Sequence, residues 1–338
     1  MKKGISIILC CYNSELKLPQ TLQCIINQKY NNSNIEVEII LVDNNSKDDT
    51  QIIASNYWNA NGIESIQFKI VEEKRPGLSY ARHTGVQNAN CDLILFCDDD
   101  NWLDEKYCQQ AHDIMQSNCK IGVLGGLNTA VGEVELPSWF KGVEQSYACG
   151  PQNEFDGEAS RMYITGAGMV LRKRLFDVFE QVSFESQLTD RKGEELSSGG
   201  DSEICHVAIL LGYTLFYSSN LKLFHFMEAK RLNWNYFVKM LLGHAESSYK
   251  LRYYFDESRK NNWLSELFRI IRPILGKRLV VLARDFFYAK KNIVYGEKIH
   301  HIFLFGQLLS HVESYNNYFT LIKNIKELKY RIKKYNAE

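Results

Sequence analysis

The residues best suited to chemistry are three successive carboxylates, Asp98, Asp99 and Asp100, which follow directly on the apolar run Leu93-Ile94-Leu95-Phe96-Cys97. Like charges a few ångströms apart raise one another's pKa or recruit a cation, and hard carboxylate oxygens favour Mg²⁺ or Mn²⁺. A cation held there can grip a diphosphate and stabilise the charge that develops as it leaves. An acidic turn capping the next helix accounts for one or two of these aspartates, but less readily for three after a buried strand. The glycines Gly125, Gly126, Gly166 and Gly168 mark close backbone approach near a cleft, or simple turns.

Such residues need a scaffold. The run 5–11 is short and continuously apolar, as in a parallel strand covered on both faces. It stops at Tyr12-Asn13-Ser14, and the segment 16–28 then spaces Leu18, Leu22, Ile25 and Ile26 at helical intervals. The alternation repeats: strand 37–42, polar turn 44–49 and helix 50–60; strand 66–71, loop 72–77 and helix 79–89; strand 93–97. This predicts a doubly wound α/β domain with ligands at the carboxyl ends of its strands. Beyond Asn101 the alternation loosens, with strands expected at 121–127 and 169–171 and a glycine-punctuated mobile loop at 189–200. From Trp234 onward helical spacing prevails.

Several of these segments, in this order, resemble glycosyltransferase family 2, the inverting enzymes with the GT-A fold. The resemblance runs from about residue 4 to 226. It rests on Ser6-Ile7-Ile8-Leu9-Cys10-Cys11-Tyr12-Asn13, Leu41-Val42-Asp43-Asn44-Asn45-Ser46-Lys47-Asp48-Asp49-Thr50, Gly77-Leu78-Ser79-Tyr80-Ala81-Arg82-His83-Thr84-Gly85 and the Asp98–Asp100 cluster. The chain departs from the family at Cys10-Cys11, where Pro-Thr or a similar pair is common, and at Asn44-Asn45, where Asp-Gly is usual.

The resemblance implies a mostly parallel GT-A sheet flanked by helices, a nucleotide-sugar donor (UDP-linked by preference) and Mn²⁺ or Mg²⁺. Tyr12, Asn13, Asp43, Arg82, Asp98 and Asp99 would hold the nucleotide; Asp43 also suits a turn and Arg82 a structural ion pair. Asp98 and Asp100 would form the DxD pair, with Asp100 contacting the metal. His225, in Leu223-Phe224-His225-Phe226, falls where some GT-A enzymes place a further metal ligand, although a lone histidine among apolar residues also suits a core. Ser198-Gly199-Gly200-Asp201-Ser202-Glu203 resembles the acceptor-side motif, with Gly200 where an acid is common. Asp201 would be the base that takes the acceptor hydroxyl's proton, supported by Glu203, and it could equally cap the helix-like run 204–211. Trp102, Trp139 and Phe140 suit either sugar stacking or packing.

The 338 residues, 45% hydrophobic and 24% charged, have the balance of a globular protein, and the net charge of zero hides an asymmetry. Residues 1–220 carry 18 Lys/Arg against 30 Asp/Glu, whereas 221–338 carry 22 against 10. The acidic half suits cation recruitment and the basic half an anionic surface, unless the two faces dock together. The reading is a catalytic domain at 1–226 and a helical, basic region at 227–338. In the latter, 268–291 and the tail 323–334 mix apolar and cationic residues as interfacial helices do. The partners expected are a nucleotide-sugar and a glycan or lipid-linked acceptor of bacterial polysaccharide synthesis, with an anionic membrane surface at the side. Nucleic acid is not expected, since no base-stacking motif accompanies the basic residues. Nine cysteines without metal or disulfide spacing, no signal-peptide pattern and no run of ~18 apolar residues favour the cytoplasm, peripheral to the inner face of the membrane. A binding module without catalysis would not need carboxylates at both metal and base positions. A nucleotidyltransferase would need a glycine- and base-rich phosphate loop, where 11–18 offers only Lys17.

Overall fold

A computed structural model describes residues 1–31, 35–188, 198–255, 263–272 and 295–337. Four parallel strands form one half of its sheet: β1 (Lys2–Cys11), β2 (Glu36–Asp43), β3 (Gln67–Glu72) and β4 (Cys91–Asp98). From Gly4 onward every residue of β1 is buried and only Ser6 is polar, as suits a strand flanked by β2 and β4. The period of two then divides its side chains. Ile5, Ile7 and Leu9 enter one core, and Ile8 and Cys10 the other.

The sheet continues past β4 through antiparallel β8 (Val170–Arg172), then β6 (Ile121–Gly132), β9 (Thr214–Met227) and the short β5 (Asn101–Leu103), with β7 (Gly157–Glu158) pairing β9. The helices α1 (Leu18–Ile26), α2 (Thr50–Asn61) and α4 (Tyr107–Ser117) cover one face. The other is covered by α3 (Leu78–Gln87), α5 (Arg174–Gln181) and α6 (Gly200–Leu210). The mostly parallel α/β architecture flanked by helices is as the sequence predicts.

After β9 come α7 (Trp234–Leu251), α8 (263–272), α9 (Tyr295–Glu313) and α10 (Tyr318–Tyr335). The division expected after residue 226 falls at the end of a strand, but the core does not divide there. Tyr318, Leu321, Ile322, Ile325, Leu328 and Ile332 of α10 are buried in the same cluster as Ile8 and Phe96 of the sheet. The basic tail is therefore amphipathic against its own domain. Its apolar stripe faces inward, Lys323, Lys326, Lys333 and Lys334 face out, and Arg331 donates to the carbonyls of Val182 at 2.7 Å and Ser183 at 3.2 Å. Among the described residues no helix is long and apolar enough to cross a membrane. Most of the expected loop, at 189–197, and residues 273–291 of the expected interfacial segment lie outside the described residues.

If α10 belongs to the core, Leu328→Ala should cost about 2–5 kcal/mol in denaturant unfolding, whereas Lys323→Ala should stay within about 0.5 kcal/mol. Equal, negligible effects would mean that the tail does not pack on the domain.

Candidate active site

The carboxyl ends of β1, β2 and β4 open into a cleft of about 1480 Å³. That exceeds the few hundred to ~1000 Å³ that one small ligand occupies. Asp98 closes β4, and Arg82, from the buried face of α3, reaches to within 3.8 Å of it. The Arg82 guanidinium lies over the Phe96 ring, 4.9 Å from its centroid.

The two aspartates that follow are buried and serve different neighbours. Asp99 accepts hydrogen bonds from the Ser14 hydroxyl and from Lys17, at 3.1 Å, tying the cluster to the start of α1. Burial, opposed by Lys17 and reinforced by the charge of Asp100, pushes its carboxyl up to about 6. Asp100 accepts from Arg231 Nη1 at 2.8 Å and Asn101 Nδ2 at 2.9 Å, with His225 Nε2 at 3.3 Å. Burial opposes its ionisation, but His225, Arg231 and Lys17 outweigh it and hold the carboxyl well below the usual range.

His225 is placed by strand register, opposite Asn101 of β5. Its Nδ1 lies 3.0 Å from the Tyr147 carbonyl, which makes that nitrogen the N–H donor. A proton on Nε2 makes the ring a donor to Asp100 Oδ1, and without that proton a lone pair faces the same oxygen. The 3.3 Å span therefore suits either that proton or a cation between the two groups. Asp100 and His225 thus fit a divalent cation. Among the described residues no three His, Cys, Asp or Glu side chains are grouped to hold an ion. The remaining ligands would have to come from a diphosphate and water, the usual habit of Mg²⁺.

At the expected nucleotide end, Tyr12 is exposed at the lip of the cleft and belongs to its wall, but Asn13 and Asp43 do not. Asn13, in the left-handed region at φ 51°, accepts from the Lys47 amide at 2.8 Å. Asp43 accepts from Gln51 Nε2 at 2.6 Å and the Ser46 amide at 3.2 Å, the turn role its residue type allowed. Asn44 stands in the wall instead. Its side chain pins the loop 73–77, donating to the carbonyls of Glu73 at 3.0 Å and Arg75 at 2.7 Å and accepting from the Gly77 amide at 2.8 Å.

Across the cleft, Asp201 lies in the first turn of α6 and accepts from the Gly166 amide at 2.7 Å through Oδ2 and from the Ser202 amide at 2.7 Å through Oδ1. Glu203 does not share that position. It is fully buried behind α6, where the Ser186 hydroxyl, the Gln187 amide at 2.9 Å and the Tyr254 hydroxyl at 2.6 Å donate to it, and burial raises its carboxyl. Its role is to brace α6 against the residues after α7. Trp102 stacks on Phe226 at 5.2 Å, and Trp139 and Phe140 pack with Trp234 and Tyr147; all three are outside the wall.

Two basic residues of the site escaped sequence reading. Lys17 opens the expected helix without belonging to a motif, and Arg231 lies beyond the expected domain boundary. Arg231, Tyr236, Lys239 and His244 form a wall of the cleft, so residues after 226 help build the site. The opposite charges of the two halves meet here.

The family description "Glycosyl transferase family 2" matches residues 6–179. The glycosyltransferase GlyA of Streptococcus pneumoniae is 30% identical over 105 residues, 31% of this chain and 14% of that protein. The chain spans less than a third of the length of the curated relatives it first matches. Among solved structures, S. aureus TarS 1–349 in complex with UDP-GlcNAc is similar at a TM-score of 0.54 and 16% identity, over 99% of this chain and 92% of that one. The mannosyltransferase PcManGT of Pyrobaculum calidifontis, in complex with GDP-Man and Mn²⁺, gives 0.57 and 15% over 100% and 88%. At these identities the likeness is one of fold.

Replacing Arg231 with Met should leave Asp100 under-compensated and cost about 3–5 kcal/mol in unfolding at neutral pH. Because Asp100 is held below its unfolded value of ~3.9, its contribution is present above that value and lost as pH falls through the folded one. The deficit of the variant should therefore shrink in acid, and a deficit that ignores pH would argue against this pairing.

Proposed function

The chain belongs to glycosyl transferase family 2, and on that premise we propose that it moves a sugar from a nucleotide-sugar, UDP-linked by preference, to an acceptor hydroxyl with inversion. The observation that carries this reading is that one cleft holds Asp98 and the Asp100–His225 pair on one side and Asp201 on the other. Tyr12 and Asn44 would border the nucleoside, with Arg82 and Asp98 beside the ribose and phosphates. Asp100 and His225 would hold Mn²⁺ or Mg²⁺, which when bound supplies a counter-charge for the departing diphosphate. Lys17 and Arg231 keep Asp100 ionised for that task. Asp201 takes the proton of the acceptor hydroxyl as its oxygen forms the new bond to the anomeric carbon and the nucleotide leaves from the opposite face.

The acceptor proposed is a lipid-linked or surface glycan of bacterial polysaccharide synthesis, reached at an anionic membrane surface. Support comes from the excess of Lys/Arg after residue 220 and from the outward lysines of α10. A panel of nucleotide-sugars tested with wild type, Asp201→Asn and Asp100→Ala checks the chemistry. Asp201→Asn should bind the donor normally and lose transfer by about 10²–10⁴-fold; Asp100→Ala should lose the Mn²⁺ dependence. Near-normal transfer by Asp201→Asn would remove it as the base, and no donor binding at all would end the transferase reading. Reversing Lys323, Lys326, Lys333 and Lys334 to Glu should abolish salt-sensitive binding to phosphatidylglycerol vesicles, and unchanged binding would exclude this face.

A further inference from the structure

One backbone position connects the two sides of the cleft. Gly166 donates its N–H to Asp201 Oδ2 at 2.7 Å, while the space where a Cβ would stand is filled from the donor side by Arg82. A Cβ at 166 would lie 2.6 Å from Arg82 Nη2 and 3.2 Å from its Cζ. Gly166 is not among the residues with positive φ, so backbone freedom does not explain the glycine and space does. Arg82 is only 6% exposed, and a retreat would take its guanidinium off Phe96 and away from Asp98. Phe96 lies beneath its guanidinium, and Asp98 stands at its tip.

We infer that Gly166 is a positioning residue for the transfer reaction, its amide aiming the Asp201 carboxylate and its missing side chain letting Arg82 lock that amide to the Asp98 side of the cleft. The inference rests on the proposed role of Asp201 as base. A methyl group at 166 forces one of two movements. Either the 166 backbone withdraws and takes its N–H from Asp201, or Arg82 swings away from Asp98. The first misdirects the base, and displacements of about 1 Å cost about 10²-fold in rate. It also removes a donor that favours the ionised carboxylate, so the base becomes harder to deprotonate.

The test is a double-mutant cycle of Gly166→Ala and Arg82→Lys, with donor Kd, kcat and the pH profile of kcat measured for all four proteins. Lysine lacks the fork that occupies the 166 site. Gly166→Ala should lower kcat about 10²-fold with donor Kd within about threefold, and should move the acid limb of the profile to higher pH. In the Arg82→Lys background the same substitution should cost less than about threefold in kcat, the coupling expected of contacting residues. Unchanged kcat in Gly166→Ala overturns the positioning role; an equal loss in both backgrounds overturns the coupling through Arg82. If Gly166→Ala does not fold, the double variant should, and failure of both overturns the collision. Asp201→Asn run alongside separates the two levels, since its retention of transfer would fell the base assignment itself, whereas its loss beside an active Gly166→Ala fells only this inference.

Discussion

The structure depends on a buried negative charge that has to be compensated. Asp100 sits at the turn between β4 and β5, and its two oxygens face His225 on β9 and Arg231 just after it. An isolated carboxylate in that environment would take up a proton. This one stays ionised because three separate parts of the chain bring nitrogen to it: the β5–β9 pairing, the turn after β9 and, through Lys17, the start of α1. Each partner belongs to an element that packs for its own hydrophobic reasons, so the cores on the two faces of the sheet determine whether the charge is satisfied.

The same constraint explains why the residues after 226 cannot be a detachable appendage. Arg231 supplies the counter-charge at the cleft, Tyr254 donates to Glu203 beneath α6, and α10 completes the core under α3, α5 and α6. The acidic first half and basic second half are two sides of one site.

Where residues announce themselves by run and spacing, sequence and structure agree. β1, β2 and β4 follow from apolar runs ended by polar turns, and the three aspartates lie at the mouth of β4 as such a run requires. Asp201 lines the same cleft as the aspartate cluster. Elsewhere the structure adds the direction of a side chain to its position. Asn13 and Asp43 are spent on a turn, and Asn44 faces the cleft. Glu203 and Asp201 are two apart on a helix, about 200° around its axis, so one lines the cleft while the other is buried behind it. Trp102 and Trp139 carry large apolar rings whose packing partners, Phe226 and Trp234, are distant in sequence.

The sequence by itself determined the alternation of strands and helices, the family motifs and the place of the acid cluster, because these are set by local periodicity and by residues adjacent in the chain. Only the tertiary structure decided that His225 and Arg231 converge on Asp100, that Gly166 joins Arg82 to Asp201, and that α7 and the turn before it wall the cleft. Those contacts depend on strand register and on the packing of helices over two hydrophobic faces. Both are fixed by burial between segments that lie many tens of residues apart, and no local pattern records them.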